Sequence, residues 1–195
     1  IIGSMIDYVP IAEGNADLIA RMAQEDIRIV SLTVTEGGYY IDPLSSSLDA
    51  AHPDIQHDAK YPETPKTVFG AMIAALKLRR EAGVGPFTGQ SCDNLQGNGA
   101  ILRRTVVSLA ALSDPDLAVW IDQKCSFPNS MVDCIVPATG PLECELVRTL
   151  GIDDAVPVTH ENFRQWVIED NFCAGRPNWE KVSVTMSSDV HTFES

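Results

Sequence analysis

The sequence predicts an α/β fold, namely the later part of a doubly wound parallel sheet followed by a β-rich antiparallel extension. Short β-branched and apolar runs alternate with longer helical patterns over most of the chain. Such alternation is typical of βαβ units, which build parallel sheets. From residue 156 onward the pattern changes to short β-rich runs with no helix between them, and this change predicts the extension.

The predicted strands are β-branched or aromatic runs that are too short for helices. They lie within 1–9, at 27–34, at 87–92, within 126–140, at 163–168 and at 181–186. The run at 27–34 is mostly apolar along its whole length. It therefore predicts a parallel strand that is buried on both faces.

The predicted helices have apolar residues three and four positions apart. They span 15–25, 65–82, 98–112, 114–124 and 141–150. Asn15 is expected to cap the first of them, and Gly83 to end the second. Residues 35–64 contain a glycine pair, several prolines and a serine run, so they predict a long loop, and loops of that length are often functional.

Composition limits the function classes. The 195 residues suit a single domain, carry a net charge of −13 and are 45% hydrophobic. An acidic chain lacks the basic patch that nucleic acids and anionic membranes need, and no apolar stretch approaches the ~18 residues of a membrane helix. The five cysteines form no C-x-x-C pair, and an odd number of thiols without a signal peptide predicts a cytoplasmic protein.

Segments that contain polar residues stand where three of the predicted strands end. Residues 35–37 follow the strand at 27–34, Asn94 follows the strand at 87–92, and Val132 and Asp133 come after a further short apolar step. In α/β proteins such strand ends face the crevice in which ligands bind. The sequence therefore predicts one site at this edge, where the Asn94 amide can donate a hydrogen bond to a substrate oxygen.

Several segments together carry a family resemblance. They are IVSLTVTEGGY at 29–39, SCDNLQGNG at 91–99, and the stretches 65–70, 127–133, 162–170, 175–177 and 179–182. Jointly they resemble the polyol-specific long-chain dehydrogenases of the mannitol 2-dehydrogenase and fructuronate reductase type. The resemblance implies a Rossmann-type fold, NAD as cofactor, and a metal-independent hydride transfer between NAD and a polyol or sugar acid.

The resemblance also implies roles for single residues. Asn94 is the implied catalytic residue, whose amide holds the substrate oxygen in the manner of an oxyanion hole. Asp133 is implied to contact both substrate and cofactor. The remaining implied cofactor-binding residues are Thr35, Glu36, Gly37 and Val132. Two alternatives stay open: Asn94 could cap the following helix, and Val132 could be a plain core residue.

By the same resemblance, the sequence is one part of a longer enzyme. Members of the family begin with a glycine-rich nucleotide-binding turn and carry a catalytic Lys-x4-Asn-x2-His motif in a helical C-terminal domain. Residues 1–195 contain no G-x-G-x-x-G and no lysine after Lys181, although Glu194 matches the acidic residue that precedes the family's lysine. They are interpreted as a partial NAD-binding domain without that helical domain. Such a chain is expected to be inactive alone and to self-associate; the alternative is a non-catalytic, truncated α/β module.

Other chemical groups receive simpler interpretations. His52 and His57 are expected in a solvated loop, because their spacing fits no usual zinc pattern, and no metal is expected. Cys92 is expected to be a small buried residue and not a nucleophile. Asp93 could orient Asn94 or a backbone amide, or simply form a turn.

Glycines near the predicted site have two possible uses. Gly37 and Gly38 are expected to permit positive φ angles and the close approach of a ligand. Gly97 and Gly99 could allow another backbone to come close, or make the tight turn into the helix that follows.

Overall fold

The computed structural model describes residues 4–193 and confirms the α/β class. The strands in this range are β1 (Ile29–Leu32), β2 (Thr88–Ser91), β3 (Ser130–Asp133), β4 (Gln165–Glu169) and β5 (Thr185–Ser187). The α-helices are α1 (Ala16–Ala23), α2 (Pro53–Lys60), α3 (Val68–Glu81), α4 (Asn98–Ser113), α5 (Pro115–Lys124) and α6 (Pro141–Thr149). No helix in the described range is long and apolar enough to cross a bilayer.

The sheet begins as a parallel layer around β2. β1 pairs with one edge of β2 in parallel. Along the other edge, residues 126–130 run in the same direction, since the Gly89 amide donates to the Ser126 carbonyl and the Ser130 hydroxyl donates to the Ser91 carbonyl. β4 is then antiparallel to β3, and β5 is parallel to β4. The predicted parallel sheet with a β-rich antiparallel extension is therefore confirmed, with a final strand pair that is itself parallel.

The hydrophobic core lies where α3 and α4 pack against β2. Gly89 helps to form it, because a side chain there would collide with Phe127 and Met72. Burying a large apolar side chain contributes about 1.5–3 kcal/mol relative to exposure. The largest apolar side chains that are fully buried are Tyr39, Phe69, Phe87, Ile55, Met72, Leu76, Leu102, Leu117, Ile121 and Ile168.

Polar side chains satisfy the free amides at the start of α3. The Thr67 hydroxyl accepts from the Gly70 amide at 2.9 Å. The buried Asp58 carboxylate accepts from the amides of Lys66 at 2.7 Å and Thr67 at 2.9 Å. A Cβ on Gly70 would collide with Asp58, so this arrangement requires glycine. Because Asp58 belongs to α2, the cap also ties α2 to α3.

The prediction of a loop at 35–64 was wrong over α2. The helix begins where Nδ1 of His52 accepts from the Asp54 amide at 3.2 Å, and it buries Ile55. Eight residues with one fully buried apolar side chain give a weak periodic pattern. Contacts with α4 support the helix, as expected for a segment too short to be stable alone.

Two predictions near the amino end of the chain were also wrong. Residues 4–9 form no strand, and residues 1–3 lie outside the described range. Asn15 does not cap α1 with its side chain, because its φ is +53° and its side-chain amide donates to the Pro65 carbonyl at 2.9 Å. The long-range hydrogen bond has replaced the local one.

The strand predicted at 181–186 is reduced to β5, because Trp179–Val182 is a 3₁₀ turn. Arg176 explains the turn. Its guanidinium donates to Asp170 at 2.7 and 2.8 Å and to Glu180 at 2.9 Å. The two carboxylates are thereby drawn towards one guanidinium, which favours a turn over an extended chain.

Residues 134–164, between β3 and β4, leave many apolar side chains uncovered. α6 buries none of its residues, and Leu142, Leu146 and Leu150 lie one turn apart with 80%, 59% and 68% of their surface exposed. We call these three residues the leucine row. Further exposed apolar residues of the segment are Ile135, Val136, Ile152, Val156, Val158 and Phe163. Exposed apolar surface of this kind is typical of a face that another segment or molecule covers.

Candidate functional site

The three strand ends that the sequence singled out meet at one edge of the sheet. The loop after β2 and the end of β3 line a cavity of about 340 Å³ that includes Asn94, Val132 and Asp133. A second cavity, of about 350 Å³, is lined by residues 35–37 together with Asp93 and Asn94. Because Asp93 and Asn94 border both cavities, we treat them as one feature, the strand-end cleft.

Asn94 is exposed in this cleft, and no group in residues 4–193 hydrogen-bonds its side chain. Oδ1 of Asn129 instead accepts hydrogen bonds from the first free amides of α4, those of Gly99 and Ala100, at 2.9 and 3.1 Å. Asn94 therefore does not cap α4, which was the alternative interpretation. Its amide is available to a ligand, and its catalytic role stays a prediction.

The Asp93 carboxylate joins the ends of β1 and β2. Its Oδ1 accepts from the Thr35 amide at 2.9 Å, and its Oδ2 accepts from the Val34 amide at 3.1 Å. The Tyr39 hydroxyl donates to Oδ2 at 2.7 Å. Of the uses considered for Asp93, the orientation of backbone amides is confirmed, and the amides lie 58 and 59 residues away in sequence.

A buried phenol completes this hydrogen-bond network. Tyr39 is fully buried, and its hydroxyl lies 2.6 Å from the Ser91 hydroxyl. Burial raises the pKa of Tyr39 far above its usual value, with a smaller rise from Asp93 and an opposing effect of the Ser91 hydrogen bond. Tyr39 is therefore a protonated donor at neutral pH. Since its one hydrogen goes to Asp93, Ser91 donates to Tyr39.

Thr35 has a backbone conformation that residues other than glycine rarely adopt. Its φ is +66° and its ψ is 165°, a combination that costs about 1–3 kcal/mol. The prediction that Gly37 and Gly38 supply positive φ here was wrong. Both lie in a 3₁₀ turn, Glu36–Tyr39, whose φ angles are negative. The positive φ lies on Thr35 instead, whose amide donates to Asp93.

Asn98 holds the end of β3 against the loop after β2. Its buried side chain donates to the carbonyls of Asp93 at 3.0 Å and Ser130 at 2.8 Å, and accepts from the Ser130 amide at 2.9 Å. Val132 is 50% exposed and Asp133 is exposed. The alternative interpretation of Val132 as a plain core residue was therefore wrong. The sequence around Asn98 predicts only a helix start, because a long-range hydrogen-bond partner leaves no local pattern.

Gly97 and Gly99 each serve one of the purposes predicted for them. Gly97 turns the chain into α4 with a φ of +64°. A Cβ on Gly99 would collide with the carbonyls of Phe127 and Pro128. Glycine at 99 thus lets α4 start directly on the neighbouring backbone, which brings Asn129 to the free amides.

Other reactive groups give no competing site. Cys92 is half-buried, and burial raises the pKa of its thiol, which disfavours a nucleophilic thiolate. His52 caps α2 and His57 lies within it, 3.1 Å from the Asp58 carboxylate, so the predicted solvated loop was wrong. Among residues 4–193, no group of three or more His, Cys, Asp or Glu side chains could hold a metal ion.

The last described residues also reach the strand-end cleft. The 3₁₀ turn His191–Phe193 approaches the loop after β2, where a Cβ on Gly97 would lie 3.9 Å from the His191 ring. Phe193 lines the cavity of about 340 Å³. Glu194, which matched an acidic residue of the resembled family, lies outside the described residues.

The residues of the cleft fit the nicotinamide half of a dinucleotide. The exposed carboxylates of Glu36 and Asp133 can accept hydrogen bonds from ribose hydroxyls, and the exposed Val132 offers an apolar contact to a ring. A further cavity of about 560 Å³ shares Val132 and Asp133 and extends to Trp166. The strand-end cleft therefore opens into further space beyond Val132 and Asp133.

Comparisons with known proteins all match this chain to the same family. The family model of the mannitol dehydrogenase Rossmann domain matches residues 1–181. Mannitol 2-dehydrogenase of Cereibacter sphaeroides is 56% identical over 194 residues, covering all of this chain and 40% of that protein. D-mannonate oxidoreductase of Escherichia coli (strain K12) is 46% identical over 196 residues, also covering all of this chain and 40% of that protein.

A solved structure agrees with these sequence matches. The ternary complex of Pseudomonas fluorescens mannitol 2-dehydrogenase with NAD and D-mannitol has a TM-score of 0.82 and 50% identity. It covers 91% of this chain and 36% of that chain. The Rossmann-type fold is confirmed, and the chain spans about 40% of the length of the curated relatives it matches.

Proposed function

Because this chain belongs to the mannitol dehydrogenase family, we propose that it is the cofactor-binding part of an NAD-dependent oxidoreductase acting on a polyol or sugar acid. The reaction is a metal-independent hydride transfer of the mannitol/fructose or mannonate/fructuronate type. The strand-end cleft carries the proposal, because residues 35–37, 93–94 and 132–133 converge there. The substrates named for the relatives and the NAD of the solved complex support it.

Asn94 has the central chemical role in this proposal. NAD, when bound, supplies the acceptor for the hydride. The Asn94 amide donates a hydrogen bond to the substrate oxygen next to the reacting carbon. That oxygen becomes more negative as its proton leaves, so a fixed N–H donor stabilises the transition state more than the ground state. No lysine follows Lys181 in these 195 residues. We therefore assign the role of general base to no residue of this chain.

In this proposal the carboxylates of the cleft bind and orient the cofactor and the substrate. Glu36 and Asp133 accept hydrogen bonds from ribose or polyol hydroxyls, with Thr35 and Gly37 beside the cofactor and Val132 against the ring. Acceptors of this kind favour molecules rich in hydroxyl groups over apolar ones. The cytoplasmic location expected from the five cysteines, all of which are free thiols, stays a prediction.

The 195-residue chain by itself is expected to turn over neither mannitol nor fructuronate with NAD or NADP, because no lysine lines the described strand-end cleft and residues 1–195 contain no glycine-rich phosphate turn. A protein of its relatives' full length that contains this chain is expected to turn over one of these substrates. Absorbance of NADH reports both reactions. Turnover by the purified chain would contradict the first expectation. If the longer protein oxidised no polyol or sugar acid, the non-catalytic α/β module would be the better description.

The 195-residue chain is also expected to self-associate through the exposed apolar segment between β3 and β4. Leu146→Glu, in the middle of the leucine row, should raise the concentration at which assemblies form, because a charge there opposes desolvation. Light scattering over a concentration series measures this. The control is Leu44→Glu, which changes a leucine that is 96% exposed on another loop. A monodisperse monomer with a cooperative, high melting transition in the unmodified chain would contradict the expectation.

A further inference from the structure

Asp93 connects two parts of the strand-end cleft that the proposed reaction uses together. Asn94 follows it directly in the chain, and the amides of Val34 and Thr35 bond to its carboxylate. The carboxylate itself has little freedom, since the buried Tyr39 hydroxyl donates to Oδ2 at 2.7 Å from the core side. This side chain thus extends the link between β1 and β2, which ends in the backbone with the Cys92 amide donating to the Leu32 carbonyl, to residues 34 and 35.

The Thr35 conformation depends on this contact. A β-branched residue at a φ of +66° and a ψ of 165° returns to an ordinary conformation unless its neighbours prevent it. Within residues 4–193, the Asp93 carboxylate is the group that accepts from the Thr35 amide. The Thr35 carbonyl then accepts from the Gly38 amide at 3.1 Å, which closes the 3₁₀ turn that carries Glu36. The conformation of Thr35 therefore decides where Glu36 lies.

We propose that Asp93 is a positioning residue of the dehydrogenase: its ionised carboxylate holds Thr35 in the strained conformation and so fixes Glu36 relative to Asn94. Its effect on hydride transfer passes entirely through the groups that it holds. The kinetic consequence rests on the proposed function. The hydrogen-bonded clamp is a property of the fold and can be measured without any substrate.

Only a carboxylate can make all three contacts. In Asp93→Asn one oxygen becomes an NH₂ group, which would face the amide of either Thr35 or Val34. A donor facing a donor leaves that backbone N–H without a partner, while the size of the side chain is unchanged. The substitution therefore breaks the clamp at one of its two amides and leaves the shape of the side chain unchanged.

The kinetic test uses a protein of the relatives' full length that contains this chain. D93N is expected to lower kcat about 10- to 100-fold with a much smaller change in KM for NAD, because displaced groups lose their alignment with the transition state. The matched control is D122N, which removes the same charge from a half-buried residue of α5 that pairs with Arg103. It is expected to leave kcat unchanged.

A second substitution separates positioning from general stability. Glycine adopts the Thr35 conformation without strain, so in a T35G background the loss of kcat caused by D93N is expected to shrink to about threefold or less. Equal losses in the two backgrounds would overturn the proposal. So would a D93N variant that melts at a lower temperature but keeps its kcat in the folded protein.

Amide hydrogen exchange tests the clamp directly. At least one of the amides of Val34 and Thr35, the one that faces the new NH₂ group, is expected to exchange about tenfold faster or more in D93N, and both are expected to be unaffected in D122N. Unchanged exchange in D93N would overturn the proposal whatever the kinetics. If the unmodified protein oxidised no polyol, the proposed function would fail, and the exchange rates would still decide whether Asp93 holds Thr35.

Discussion

Replacing Asn94 with alanine, in a protein of the relatives' full length that contains this chain, is expected to lower kcat about 100-fold or more, as for the loss of one oxyanion donor. The affinity for NAD should change little, because the lost hydrogen bond goes to the substrate oxygen and strengthens as that oxygen gains charge. Steady-state kinetics and a cofactor titration together provide the measurement.

Two further variants make this result specific. Asn94→Asp is expected to be slower still, since a carboxylate repels a developing alkoxide. Asn178→Ala removes an exposed asparagine that lines neither cavity of the strand-end cleft, and it should leave kcat unchanged. A normal kcat in Asn94→Ala, with only a lower melting temperature, would make Asn94 a structural residue.

Long periodic patterns made most of the fold predictable. The helix predicted at 98–112 is α4, and the helix predicted at 114–124 is α5, each within one residue at either end. Both have apolar residues on several successive turns, so the signal accumulates. α2 was missed because it is short and owes its stability to α4 and to the Asp58 contacts with the start of α3, which no local pattern records.

The location of the candidate site could be predicted, but not the hydrogen bonds that hold it together. Parallel strands end at the same edge, so polar residues after β1 and β2 had to lie close to each other. The local rule that assigns positive φ to glycine failed at Gly37 and Gly38, because the positive φ lies on Thr35, whose amide bonds to the carboxylate of Asp93, 58 residues away. The role of Asn98 was not predicted either, because its partner Ser130 lies 32 residues away in sequence.

Arg79 is the other residue at which a large effect is expected, because its charge is buried without a carboxylate partner in the described part of the chain. The guanidinium donates to the carbonyls of Gln24, Ile27 and Gly85, and it lies 5.6 Å from the centre of the Phe87 ring. Burial lowers the pKa of Arg79, yet a guanidinium stays charged at neutral pH. The side chain therefore gathers the two segments that lead into β1 and β2.

Arg79→Met is expected to lower the free energy of unfolding by about 3–5 kcal/mol, because an apolar chain of similar length remains while buried carbonyls lose their donor. Arg80→Met, at the exposed neighbour, should change it by less than about 0.5 kcal/mol. Denaturant titration of both variants, followed by circular dichroism, compares them, and equal midpoints would contradict the expectation.

The same two strands are thus fixed at both ends by single charged groups. The Arg79 cation binds carbonyls where they begin, and the Asp93 anion binds amides where β1 ends and the strand-end cleft opens.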